Sequence, residues 1–236
     1  MENYMNVKRF LPQGSSWTGL LHRIVAAVFF ATLIPSMAAQ APAAAAGRQG
    51  PPPTPPTAGA HLEIIDGSSA TYRVQEQFVG INFPSDAVGT SPTVAGTLVI
   101  APDGSIVTAQ SKLTIDLRAL KSDQDQRDNF VRTRTLETDK FPYAEFAPTR
   151  IEGLPVMIPT QGQVGFTLTG NLTIRGVTKE VAFKGIATFG RDSTVNGRAK
   201  TDFTFATFGL TKPSIGRLMS VDDKIELEVV FRFKRS

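Results

Sequence analysis

Between Gln163 and Phe189 the chain reads QVGFTLTGNLTIRGVTKEVAFKGIATF, and no other stretch restricts the fold so tightly. Phe166, Leu168, Gly170, Leu172 and Ile174 alternate there with Thr167, Thr169, Asn171 and Thr173. A side-chain period of two belongs to a strand with one dry face and one wet face. Arg175-Gly176-Val177 then supplies a turn in which glycine takes a positive φ at little cost. A second run sets Val181 and Phe183 against Glu180, Ala182 and Lys184, so the stretch is expected to be a long β-hairpin.

The same period recurs along the chain. Tyr72 to Phe83 reads as a first strand bent near Gly80, and Val94–Ile100 and Ile106–Leu117 as a hairpin across the turn Pro102-Asp103-Gly104. Further strands are expected at Ala144–Ile151, Ser193–Phe205 and Lys224–Phe233. Only 118–142 changes period. Ser122 and Asp125 resemble a cap, and Gln124–Arg134 reads as a short helix bearing Phe130 and Val131. The pattern predicts an all-β protein, an eight-stranded antiparallel barrel with one short helical insertion, with a sandwich as the alternative. Closure removes the edges that strands of this length would otherwise expose.

The segment before this domain has a different character. Lys8, Arg9, His22 and Arg23 precede an apolar run from Ile24 to Ile34, followed by Pro35 and small residues. These features identify residues 1–38 as a signal peptide, since the run is too short to span ~30 Å of hydrocarbon. Residues 39–60, rich in Ala and Pro, are expected to be a disordered linker, leaving 61–236 as the folded domain. Export to the periplasm of a Gram-negative bacterium follows, or otherwise secretion, and the absence of cysteine suits a space that tolerates disulfides without requiring them. The domain body has no histidine beyond His61 at its edge, which removes Ser-His-Asp, Cys-His and histidine-metal chemistry. Removing Lys8, Arg9, Arg23 and Glu2 from 25 basic and 21 acidic residues leaves 22 against 20, no excess for nucleic acid. Asp123, Asp125 and Asp128 lack the glycine and closing glutamate of a calcium loop, so no metal is expected. Arg132 and Arg134 read as solvated, transient contact with a membrane surface being the alternative. A homodimer is among the states the sequence allows.

Leu172 to Phe183, LTIRGVTKEVAF, resembles the signature of the YceI-like family of exported bacterial proteins with a lipocalin-like barrel. Arg127-Asp128, Lys140-Phe141-Pro142 with Phe146, and Ala206-Thr207-Phe208-Gly209-Leu210 match in the same order. The likeness runs from about Ala70 to Phe233. Asn129 stands where the family often has His, and Ala206-Thr207 where it has a charged run. The resemblance implies binding of an isoprenoid or similar amphiphilic lipid inside the barrel, without catalysis and with no cofactor other than such a lipid. The inward positions are then Phe166, Leu168, Leu172, Val181, Phe183, Phe203, Phe205, Leu227 and Val229, while Phe130, Phe141 and Tyr143, in or near the one non-strand element, either roof the barrel mouth or simply pack. Arg127 is the candidate for a lipid head group, against a structural pairing with a neighbouring acid. An eight-stranded barrel can be filled by side chains or can hold one ligand, and the alternation serves both. Gly170 and Gly197 are expected to leave space inside. Two other functions stay open: an enzyme acting on an isoprenoid lipid, and a filled barrel active in stress protection or protein interaction.

Overall fold

The computed structural model describes residues 59–155, 157–214 and 218–236. The expected signal peptide, and the linker up to residue 58, lie outside the described residues. Ala60, the last residue assigned to the linker from sequence, opens the first strand.

Eleven strand segments and one helix follow in order: β1 (Ala60–Ile64), β2 (Ser69–Phe78), β3 (Ser85–Ser91), β4 (Val94–Ile100), β5 (Lys112–Asp116), β6 (Lys121–Ser122), α1 (Asp125–Phe130), β7 (Tyr143–Glu152), β8 (Gly162–Ile174), β9 (Val177–Phe189), β10 (Thr194–Thr204) and β11 (Leu218–Arg235). All pairings are antiparallel. The ring runs β1-β4-β5-β7-β8-β9-β10-β11 and is closed by β1 on β11, with Leu62 opposite Arg235 and Ile64 opposite Phe233. Further back along β11, β2 takes over from β1, and β3 and β6 continue outward from β2. β1 with β2, β3 with β4 and β5 with β6 are therefore three bent strands, and the fold is a closed eight-stranded antiparallel barrel with one short helix.

The expected hairpin is present over its full length, β8 pairing with β9 from Gly162–Phe189 to Ile174–Val177. Arg175 (φ 51°) and Gly176 (φ 75°) both take left-handed conformations, the pair of angles that a two-residue turn needs to follow the twist of its strands.

Other boundaries differ from the sequence expectation, each for a local reason. The first expected strand stops at Phe78, where the Ile81 amide donates to the Phe78 carbonyl at 3.2 Å and Gly80 turns at φ 81°. β3, SDAVGTS, has too few β-formers to be seen, and β1 is hidden beside the linker. Ile106–Leu117 is not one strand, because a 3₁₀ turn at Thr108–Gln110 interrupts it. The helix is shorter than expected: α1 ends at Phe130 and the chain continues as a π-turn, Val131–Thr135, in which the Leu136 amide donates to the Val131 carbonyl at 2.8 Å. Ser122 does not cap it. Gln124 occupies the cap without a side-chain bond, while Ser122 Oγ donates to Asp128 Oδ1 at 2.6 Å. The side-chain capping box is elsewhere, between Thr204 and Thr207 of the 3₁₀ turn Phe205–Phe208, so Phe205 stands just past the end of β10.

The glycines expected to open the interior instead let aromatic rings and neighbouring backbone close in. A Cβ on Gly197 would stand 2.1 Å from the Ile186 carbonyl oxygen and 2.5 Å from the Phe231 ring, and one on Gly170 would stand 2.4 Å from the Ala147 carbonyl oxygen and 2.8 Å from the Phe146 ring. Phe166 covers Gly185 and Tyr72 covers Gly89 in the same way. In three of these four pairs the aromatic and the glycine are direct cross-strand partners: Tyr72 with Gly89, Phe166 with Gly185, and Phe231 with Gly197. Glycine permits sharp strand curvature, and the ring restores the apolar contact that a missing side chain gives up.

Candidate functional site

The inward alternation does not fill the barrel. Two cavities lie inside, of about 90 and about 110 Å³. Each holds more than the ~10–15 Å³ a single water needs but less than the ~300–1,000 Å³ usual for small-molecule sites, so a long ligand requires the apolar walls to part. The first is walled by apolar side chains from all eight barrel staves and their connections, among them Leu62, Leu98, Ile151, Phe189 and Phe233. The second lies among β2, β3, β10, β11 and the helical insertion, with Val74, Ala87, Leu120, Val131, Leu136 and Ile225 in its wall. Ile115 and Ala144 line both, so the cavities adjoin at these two residues.

The sequence-derived candidates divide among these spaces. Phe166, Leu168, Leu172, Phe183 and Val229 line the first cavity, and Phe203, Phe205, Leu227 and Arg127 the second. Val181 packs against the core without lining either. Phe130, Phe141 and Tyr143, candidates to roof the mouth, line neither cavity. Tyr143 is 44% exposed on the outer surface, where the Arg118 guanidinium lies 5.1 Å from its ring and donates to its hydroxyl at 3.0 Å. From the insertion it is Arg127, Val131, Thr135 and Leu136 that face the second cavity, because the π-turn rotates the helix face after Phe130.

Polar groups gather at one place. Arg127 is 3% exposed, and its guanidinium donates to Glu76 on β2, also buried, and to Asp123. It also reaches Ser122 Oγ at 3.2 Å. Burial opposes the charge on Arg127, but the bonds from Asp123 and Glu76 outweigh that and hold its pKa above the ordinary arginine value. Two buried atoms of the cluster, Arg127 Nε and Asp128 Oδ2, make no hydrogen bond, although Lys121 Nζ approaches Asp128 Oδ2 at 3.7 Å. Tyr72, in the same wall, has its phenol pKa pushed up to about 12, chiefly by burial, with Arg127 opposing and the three carboxylates adding to the rise. It therefore remains a hydrogen-bond donor at any physiological pH. Asp123, Asp125 and Asp128 are each tied to a different partner, Arg127, Lys121 and Ser122 respectively. Among the described residues no three His, Cys, Asp or Glu side chains form a metal-holding group.

Tyr72 and Glu76 were missed from sequence, though a signal was present. Tyr72, Val74 and Glu76 follow one another at every second position, so one strand face carries a phenol, an apolar side chain and an acid. A carboxylate on a buried strand face needs a charged partner, and Arg127 is that partner.

An enclosed antiparallel barrel with an apolar lumen and one buried polar cluster is a fold of the lipocalin-like kind. The chain belongs to the YceI-like domain family, whose model matches residues 65–233. Two UPF0312 proteins of Pseudomonas putida, from strains W619 and GB-1, are 31% identical over 127 residues, which span 49% of this chain and 62% of each relative. Among solved structures, the fold is similar to a polyisoprenoid-binding domain from Saccharophagus degradans implicated in plant cell wall breakdown. That match has a TM-score of 0.58 and 13% identity, covering 75% of this chain and 99% of the other. Burkholderia cenocepacia BcnA follows at a TM-score of 0.51 and 16% identity, covering 70% of this chain and 95% of the other.

Proposed function

We propose that this protein binds one isoprenoid-type lipid within the barrel and carries it, without catalysis, in the periplasm of a Gram-negative bacterium. The observation that carries the reading is the pair of adjoining cavities, one lined by apolar residues alone and the other containing Tyr72, Glu76 and Arg127. Each CH₂ of a tail taken from water into the first cavity gains ~0.8 kcal/mol without any charged contact, and a long chain is taken up as the apolar walls, which line about 90 Å³ at rest, move apart. The head group then lies in the second cavity. A neutral carbonyl head of the quinone type suits it better than a phosphate, because Arg127 is already engaged by two carboxylates and Asp128 adds a third acid nearby. The donors free for a carbonyl are the Tyr72 hydroxyl and Arg127 Nε. Binding is favoured over catalysis because Glu76 and Arg127 are committed to each other, which leaves no acid-base pair for chemistry. Export rests on the leader features of residues 1–38.

Native mass spectrometry of the protein purified from its own envelope, followed by organic extraction, tests this. A stoichiometric lipid with an isoprenoid tail is expected, lost when Ala187→Phe fills the first cavity in a barrel that stays folded. A lipid-free mass, under conditions that keep a control lipid carrier loaded, would refute it.

A further inference from the structure

The β2–β3 connection presents its apolar side chains to solvent. Phe83 is 79% exposed, Ile81 54% and Val79 51%, and the adjacent Met219 on β11 is 63% exposed. Met219 reaches the surface because the register of β11 on β2 slips between Leu218, opposite Phe78, and Ser220, opposite Gln77. From Phe78 to Ser85, FVGINFPS, there is no charged residue. The turn is fixed by its own bonds: the Ile81 amide donates to the Phe78 carbonyl at 3.2 Å, and the Gln77 side-chain amide donates to the Ile81 carbonyl. The outlying charges Arg73 and Asp86 neutralise each other across the two strands.

We infer that this turn, with Met219 beside it, is a membrane-docking wedge through which the barrel exchanges its lipid with a bilayer. The inference rests on the lipid-binding reading above. The occupant is argued from area, charge and continuity. At ~200 Å² for a wholly exposed aromatic side chain, the exposed fractions leave these four residues short of the ~800 Å² per partner that a stable protein interface buries. A convex apolar tip of that size inserts into the headgroup and acyl boundary without needing a complementary surface. It is uncharged, so its attraction is to hydrocarbon rather than to anionic head groups. Finally, the strands that bear it are walls of the second cavity. Val74, Glu76 and Ala87 line that cavity, and the turn begins two residues beyond Glu76, ~7 Å along the strand.

The test uses the full chain carrying Trp17→Phe and Phe83→Trp, which makes position 83 the only tryptophan. Vesicles of phosphatidylcholine, with and without phosphatidylglycerol, are added, some containing lipid brominated on the acyl chain. A blue shift of the emission with quenching by bromine, of equal size with and without phosphatidylglycerol, is expected. Unchanged emission would overturn the wedge and leave the tip to a protein partner. A shift seen only with anionic vesicles and abolished by salt would overturn it too, by assigning the attraction to basic groups elsewhere. In a second arm, Ile81→Asp with Phe83→Asp is compared with the unsubstituted chain for uptake of an extracted isoprenoid quinone. Loading from vesicles should fall roughly tenfold or more for the pair, while loading from detergent micelles is unchanged. If both proteins load equally well from vesicles, the wedge is refuted. If neither loads from micelles, the lipid-binding reading has failed, and the tryptophan signal still decides the wedge.

Discussion

At the scale of single residues, the buried Glu76–Arg127 pair is where removal of one atom group has the largest consequence. Its side chains are 6% and 3% exposed, so Glu76→Ala leaves a guanidinium in the interior with only the exposed Asp123 opposite. A loss of about 3–5 kcal/mol is expected in chemical unfolding. Glu76→Leu together with Arg127→Met removes both charges and should recover most of that loss, because the pair's attraction largely offsets its own desolvation. Tyr72 gives a second readout. Its folded pKa, about 12, lies above the ordinary 10.0, so the folded state keeps a proton that the unfolded state releases. That contribution to stability is complete below pH 10 and is lost as the pH rises through about 12. Phenolate absorbance should show one tyrosine ionising late, and the late component should vanish in Tyr72→Phe. The Glu137 carboxyl shifts the other way: Lys140 first and then Arg175 hold it below the usual carboxylate range. Stability from Glu137 is therefore present above the unfolded carboxyl pKa and lost as the pH falls through the folded one.

At the scale of elements, the β8–β9 turn explains its own sequence. Arg175 takes a left-handed φ of 51°, which costs a residue with a Cβ, and its guanidinium clasps Glu137, itself at φ 50°, and donates to the Gly209 carbonyl at 2.8 Å. One turn residue thus ties the hairpin to the end of the helical insertion and to the 3₁₀ turn before β11. Arg175→Ala should lower the melting temperature and weaken the acid sensitivity due to Glu137, whereas Arg175→Lys should restore part of both. The glycine and aromatic pairs act on the strands themselves. Gly197→Ala places a methyl group against the Ile186 carbonyl and the Phe231 ring, so β9 and β10 must move apart. We expect a loss of about 1–3 kcal/mol by calorimetry. The same substitution at Gly104, where nothing lies within 4 Å, should act only through its φ of 84°.

At the scale of the whole molecule, Ile115 and Ala144 decide whether the two cavities serve one ligand or two. Ala144→Phe narrows that junction from β7 without adding a polar atom. The bound lipid in native mass spectrometry should become shorter or be lost, while a variant that binds the original lipid unchanged would confine the ligand to one cavity. The dry face of β8 and β9 and the long last strand were legible in the sequence, because alternation is a local property that a closed barrel preserves. β1, β3 and the π-turn were not legible, because their conformation is imposed by β11, β2 and the cavity wall rather than by their own residues. The sequence by itself determined the strand period, the hairpin turn at Arg175-Gly176 and the one helical interruption, all set by contacts between near neighbours. Only the tertiary structure decided that Arg127 meets Glu76, 51 positions away, and that rings cover the glycines while two cavities stay open. Those outcomes depend on how strands distant in sequence lie beside one another once the barrel has closed.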